Sequence, residues 1–252
     1  EVDTDFSSDE WVGFSSFLDA VQDRRAPIKV QVCGPITLGL ALVRAGMSRA
    51  MAGQLASRAV IDRITAVLAE TRHRVPNAPL VLVLDEPSLT AWYGEGFPWE
   101  ADDTVDLLSG ALAAAAHGAV AGVHCCGPTE WRLALAAGPE ILSVPLATGL
   151  TEDPVVLGAF LEGGGWVAWG VVPTDAPVSS QPERYFQALR EEWQDLTRGG
   201  IDPALLRDRA LVTPACGLAG HTEAQAEEIL TMTARIGSAL RGRGDARVQF
   251  GA

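Results

Sequence analysis

Lysine is almost absent from this chain. Lys29 is the only one, and 19 Lys and Arg together face 32 Asp and Glu, for a formal net charge of −13. Such a surface repels phosphate and has no basic stripe, so a nucleic-acid partner is not expected. Cysteine is scarce as well, with four residues at 33, 125, 126 and 216. They are too few and too unevenly placed for a secreted disulfide framework, and the adjacent 125–126 pair resists a simple bridge. A reducing, cytoplasmic setting is expected. No apolar run reaches about 18 residues, so no membrane span is expected. The opening residues hold no basic segment followed by an apolar one, so no secretory leader is expected within them. Neither G-x-G-x-x-G nor G-x-x-x-x-G-K-[ST] opens a helix, which weakens a nucleotide-binding reading. Low-complexity linkers and internal repeats are also lacking.

What the chain does have is alternation. Six short apolar runs read as strands: 28–33 (IKVQVC), 80–85 (LVLVLD), 119–124 (AVAGVH), 140–145 (EILSVP), 166–171 (WVAWGV) and 210–215 (ALVTPA). Most are apolar at nearly every position, as expected of parallel strands buried on both faces. Helical patterns lie between them at 36–46, 48–73, 102–117, 129–137, 153–162, 181–198 and 222–241, with glycine-rich turns as punctuation. Strand–helix alternation predicts an α/β fold with a parallel sheet. Chemistry-bearing residues follow the strands' carboxyl ends: Asp85-Glu86-Pro87, His124-Cys125-Cys126, Pro173-Thr174-Asp175 and Cys216. Convergence from many strand ends is the habit of a (β/α)8 TIM-type barrel. Only six of the eight β/α units are visible. The expectation is a single barrel domain over 1–252, with a helical lead-in at 1–27 and the site-bearing units at 28–252. The first strands are expected to be missing from this sequence.

His124 and Cys126 stand two apart at a strand end, so their side chains point the same way, with Cys125 opposed. Cys216 ends another apolar run, in TPACGLAG. An imidazole and two thiolates are ligands zinc prefers, and three protein ligands leave the open position of a catalytic site. The same residues also suit plain packing, since free cysteine is often buried filler. The spacing excludes a finger or ribbon built from paired CxxC units.

Four short strings occur in order: KVQVCGPITL at 29–38, DEPSL at 85–89, HCC at 124–126 and TPACGL at 213–218. Together, over about residues 28–241, they resemble the catalytic barrel of cobalamin-independent methionine synthase, within the superfamily that includes uroporphyrinogen decarboxylase. The resemblance implies a zinc-dependent methyltransferase of methionine biosynthesis that makes methionine from homocysteine. It implies zinc ligands at His124, Cys126 and Cys216, and an Asp85 that binds the substrate amino group. The methyl donor it implies is a methylated folate or a methyl-corrinoid protein. Two positions depart from the family pattern. Where the family has a glutamate ligand near the end of the following strand, this chain has Pro145, which offers no ligand atom. Six positions after Asp85, the family's acidic residue is Ala91.

Glu86 is a candidate to line the same mouth as Asp85, with a catalytic role, and Asp175 to bind substrate or cap the next segment. Glu86 or Glu95 is a candidate to fill the vacant ligand place. Cys33 and Cys125 read as packing, and His221 as a surface or capping residue. Trp92, Trp99, Trp166 and Trp169 are candidates to line a pocket. Two other functions compete: a non-catalytic barrel that has lost turnover, and a tetrapyrrole decarboxylase. The decarboxylase needs cations for several carboxylates, which this acidic chain is poor in.

Overall fold

Alternating residues in IKVQVC make β1 (Ile28–Cys33) with one buried and one accessible side. Ile28, Val30 and Val32 are buried, while Lys29, Gln31 and Cys33 are accessible. This computed structural model describes residue 6 and residues 8–242. They fall into two compact units: residues up to 124 together with 132–140, and 125–131 together with residues from 141 on.

The first unit carries α1 (Val12–Val21), β1, α2 (Pro35–Arg44), α3 (Arg49–Arg74), β2 (Leu80–Asp85), α4 (Ala101–Ala116) and β3 (Val120–His124). A 3-10 turn spans Pro87–Ala91. Pro35 opens α2 at a position where a missing N–H costs nothing. Ser48 caps α3, its hydroxyl accepting from the Met51 amide at 3.4 Å. The basic Arg72, His73 and Arg74 close α3, where the helix dipole favours positive charge. β1 pairs in parallel with β2, and β2 with β3. Leu82 and Leu84 of β2 are fully buried with Ile36, Ile64 and Leu108 of the helices. Trp99 is buried where Gly39 and Gly53 leave room for its ring.

The second unit carries β4 (Ile141–Pro145), α6 (Pro154–Glu162), β5 (Trp166–Val172), α7 (Pro182–Arg198), α8 (Pro203–Asp208), β6 (Ala210–Pro214) and α9 (Glu223–Leu240). The short α5 (Trp131–Ala136) lies between β3 and β4 in sequence. β4 pairs in parallel with β5, and β5 with β6. Trp169 of β5 is buried and meets Trp193 of α7 edge-on, with ring centroids 6.4 Å apart. This geometry suits the opposed charges of ring edge and face.

The six expected strands and seven expected helices are all present, each within two residues of its expected ends. An α/β fold with six parallel strands is therefore established among the described residues. α8 was not expected: six residues are too few to show a helical period, although Asp202 caps it through the Ala204 amide at 2.8 Å. Burial on both strand faces does not hold throughout. β1 alternates, and β6 has no buried residue. Of the tryptophans, Trp99 and Trp169 serve the core, Trp166 lies under the Arg209 guanidinium at 5.4 Å, and Trp92 packs on Phe97. Among the described residues no helix is long and apolar enough to cross a membrane.

α9 begins with a reciprocal capping box. The Thr222 hydroxyl accepts from the Gln225 amide, and the Gln225 side chain accepts from the Thr222 amide at 3.0 Å. Thr222→Ala is expected to lower unfolding free energy by about 1 kcal/mol in urea titrations, while Thr222→Ser keeps it.

Candidate functional site

The parallel register of the first unit sets three polar side chains in one row. Cys33 of β1 lies opposite Asp85 of β2, which lies opposite His124 of β3. Residues in register share a sheet face, so all three point to the same side. Gln31 and Lys29 lie on that side too, at alternate positions down β1. The Gln31 amide Nε2 donates to Asp85 Oδ1 at 2.5 Å. Burial pushes the Asp85 carboxyl up, opposed by the Gln31 hydrogen bond and the nearby charges of His124 and Lys29. Burial likewise pushes the Lys29 ammonium down, and Asp85 opposes that. The Cys33 thiol is pushed up to about 11, first by burial and then by the charges of Glu86 and Asp85. It is a protonated thiol at neutral pH, poorly suited to attack or to ligation. Cys33, expected as packing, is instead on the accessible face.

Glu86 lies outside this row. Its side chain is 0 % exposed. Its carboxylate accepts from the Ile36 amide at 2.8 Å and from the Thr37 amide and hydroxyl, each at 2.7 Å. These are donors of the first turn of α2, where a carboxylate meets the positive end of the helix dipole. Space for it exists only because residue 34 is glycine: a Cβ there would lie 2.2 Å from Glu86 Oε1. The Glu86 backbone amide donates to the His124 carbonyl at 2.8 Å, and the Gly34 amide to the Asp85 carbonyl at 2.9 Å. Glu86 therefore ties together the ends of β1, β2 and β3. Expected as a mouth-lining catalytic group, it is found clamping the strand ends.

In the second unit, Cys126 and Cys216 are exposed and Cys125 is buried. The Cys125 amide donates to the Ser143 carbonyl at 3.3 Å, and its thiol leans on the Gly127 carbonyl at 3.5 Å. The register runs Pro145, Gly170, Thr213 across β4, β5 and β6. A Cβ on Gly170 would lie 2.7 Å from Ala215 Cα and 3.1 Å from Pro145 Cα. Glycine here lets the backbone leading into Cys216 approach the end of β4. Just past Pro145, Ala147 adopts a left-handed φ of 59°. Its amide donates to Glu192 of α7 at 3.3 Å. Burial pushes the Glu192 carboxyl up. Asp175 is exposed in the segment after β5, and Glu95 is exposed after the 3-10 turn of the first unit.

Among the described residues, no group of three or more His, Cys, Asp or Glu side chains is placed to hold a metal ion. The polar residues beside the candidates that the sequence did not single out are Gln31 and Lys29 in the first unit and Glu192 in the second. For the first two the signal was present, because they are the polar members of an alternating strand. Glu192 gave none, being one acid among several on an amphipathic helix.

No protein-family model matches the chain. No curated protein matches it in sequence either. Among solved structures it is similar to a B12-independent methionine synthase from Shewanella sp. W3-18-1, determined in complex with selenomethionine. The TM-score is 0.57 at 16 % identity, covering 90 % of this chain and 67 % of that one. The likeness is one of fold.

Buried Glu86 makes stability pH-dependent. Its carboxyl is pushed from 4.5 up to about 7, with burial outweighing the three hydrogen bonds that pull it down. The folded state then binds its proton more tightly than the unfolded state does. Its contribution is full below about pH 4.5 and is lost as pH rises to about 7. In urea titrations, the stability advantage of wild type over Glu86→Gln should shrink between those limits; a constant difference contradicts it. Gly170→Ala should lower unfolding free energy by about 1–3 kcal/mol, because its neighbours Ala215 Cα, Pro145 Cα and the Val144 carbonyl oxygen are backbone atoms that cannot swing aside.

Proposed function

We propose that this chain binds homocysteine and transfers a methyl group to its sulfur, giving methionine. The observation that supports this best is the Cys33–Asp85–His124 row at the strand ends of the first unit. It puts an accessible carboxylate, oriented by Gln31, beside an imidazole on one sheet face. A carboxylate in that position can hold a substrate ammonium. The fold likeness to a methionine synthase in complex with selenomethionine fits an amino acid with a sulfur-type side chain.

Zinc is the proposed cofactor. His124, Cys126 and Cys216 would hold it, and the donor set of one imidazole and two thiols is of the right chemistry. The fit rests on donor chemistry alone, since no three such groups are gathered among the described residues. When bound, zinc lowers a thiol's pKa so that the substrate sulfur is a thiolate at neutral pH. Pro145 adds no ligand, so the site carries one negative charge fewer than with a carboxylate there. The chain's own residues do the positioning. Asp85 takes the ammonium, Gln31 fixes the carboxylate that takes it, and Glu86 holds the strand ends in place. Asp175 is proposed to contact substrate from the segment after β5. The donor would be a methylated folate or a methyl-corrinoid protein, and the setting cytoplasmic.

A second reading, a binding barrel without turnover, is favoured by Pro145, which offers no ligand atom. Elemental analysis of untagged protein, purified without chelator, separates the two. About one zinc per chain in wild type, lost in both Cys126→Ser and Cys216→Ser, supports the transferase. A folded wild type without zinc, and without homocysteine-dependent methyl transfer, leaves the binding barrel.

A further inference from the structure

α3 and the start of α4 border a groove of about 730 Å³ in the first unit. None of its lining residues belongs to the Cys33–Asp85–His124 row. At its floor lies Trp99, 7 % exposed, with its ring packed where Gly39 and Gly53 lack side chains. The N–H edge of that ring reaches the groove. A Cβ on Gly53, which lines the groove, would lie 3.2 Å from Trp99 Nε1. An indole nitrogen donates and does not accept, and a buried indole usually finds an acceptor. This one has none among the described residues. The two sides of the groove carry opposite charge. α3 supplies Arg49 and Arg58, and the start of α4 supplies Glu100, Asp103 and Asp106. All five are exposed. Among the described residues, no ion pair within 4.0 Å and no hydrogen bond joins one side to the other. The acids are not gathered to hold a metal ion either.

An extended peptide answers all three features. Its side chains alternate between two sides, so one strand can offer acids to α3 and bases to α4. Arg49 and Arg58 lie nine positions apart, about 13 Å along the helix. Four steps of about 3.3 Å set the first and fifth residues of a strand at the same separation. Glu100 and Asp106 lie six positions apart, about 9 Å along α4. The second and fourth residues of the strand, about 7 Å apart, fall within that span. A main-chain carbonyl between them is the acceptor that the indole N–H lacks. A simple anion meets repulsion from the acids, and a simple cation from the arginines. We propose that this groove docks an extended segment of a partner protein in which acidic and basic side chains alternate. Its acids pair with Arg49 and Arg58, and its bases with Glu100, Asp103 and Asp106. One of its carbonyls accepts from Trp99 Nε1. Main-chain hydrogen bonding supplies the hold and the alternate side chains supply the choice of sequence.

The test is calorimetry on the full chain with two peptides, Ac-Glu-Lys-Ala-Lys-Glu-NH2 and its permutation Ac-Lys-Lys-Ala-Glu-Glu-NH2. They share composition and net charge, and only the first sorts its acids and bases to opposite sides. Wild type should bind the first at a single site, and the permutation about tenfold more weakly or worse. Asp103→Asn combined with Asp106→Asn should weaken the first peptide about fivefold, and Arg58→Gln about threefold. Trp99→Phe keeps a ring, deletes the N–H and should cost about fivefold. Gly53→Ala sets a methyl against Nε1 and should weaken binding as well, with thermal unfolding followed alongside to show that the fold is kept. The charge variants lie on the surface, so they test the assignment whether or not the buried ones fold. Equal binding of both peptides is bulk charge attraction and overturns the inference. So does a wild type that binds neither, or an affinity unchanged by the charge variants. A wild-type dimer in sedimentation velocity that the double Asp variant dissolves gives the groove to a second copy of the chain, and overturns the inference too.

Discussion

The carboxylate of Glu86 at the start of α2 is the contact on which the first unit's chemistry depends. A buried carboxylate is costly unless its oxygens are answered. Three donors from two consecutive residues, Ile36 and Thr37, answer them. In return, the first turn of α2 loses the freedom of its otherwise unsatisfied amides. The bond joins the residue after β2 to the residues after β1, so the two strand ends cannot slide past one another. Asp85 precedes Glu86 directly, and Cys33 precedes the glycine that makes room for it. The row on the accessible face is therefore held from behind, by a contact that never touches solvent.

This division of labour explains why Asp-Glu-Pro carries two acids with opposite fates. Side chains of adjacent residues near a strand end point to opposite sides. Asp85 faces the open side, where its Oδ1 accepts from Gln31, while Glu86 faces the helix, where both of its oxygens are answered. Cys33 shows the cost of such surroundings to a third group. Burial first, and then the two acids nearby, push its thiol up to about 11.

Most of the architecture was legible in the sequence because apolar period and turn residues dictate it. All six strands could be read from runs such as LVLVLD, where nothing competes with burial. α8 could not, because one cap and six residues carry no periodicity. Part of the candidate site was legible too. Asp85, His124, Cys126 and Cys216 stand out by residue type at strand ends. Gln31 and Lys29 did not, since their meaning comes from register: only the pairing of Gln31 with Val83 and of Cys33 with Asp85 sets them beneath the carboxylate. The packing of Glu86 was hidden for the same reason. Residue type marks an acid at a strand end, but only packing shows which side it takes, and Gly34 is the partner that decides it.

The strict succession of parallel strands within each unit has a kinetic side. Two parallel neighbours cannot be joined by a tight turn, so each new ladder waits on a crossover that closes a long loop. Between β1 and β2 that crossover holds α2 and the 26-residue α3, long enough to gain helical structure before the strands meet. Within each unit the spatial order of the strands follows their order in the sequence, each pairing with the one before it.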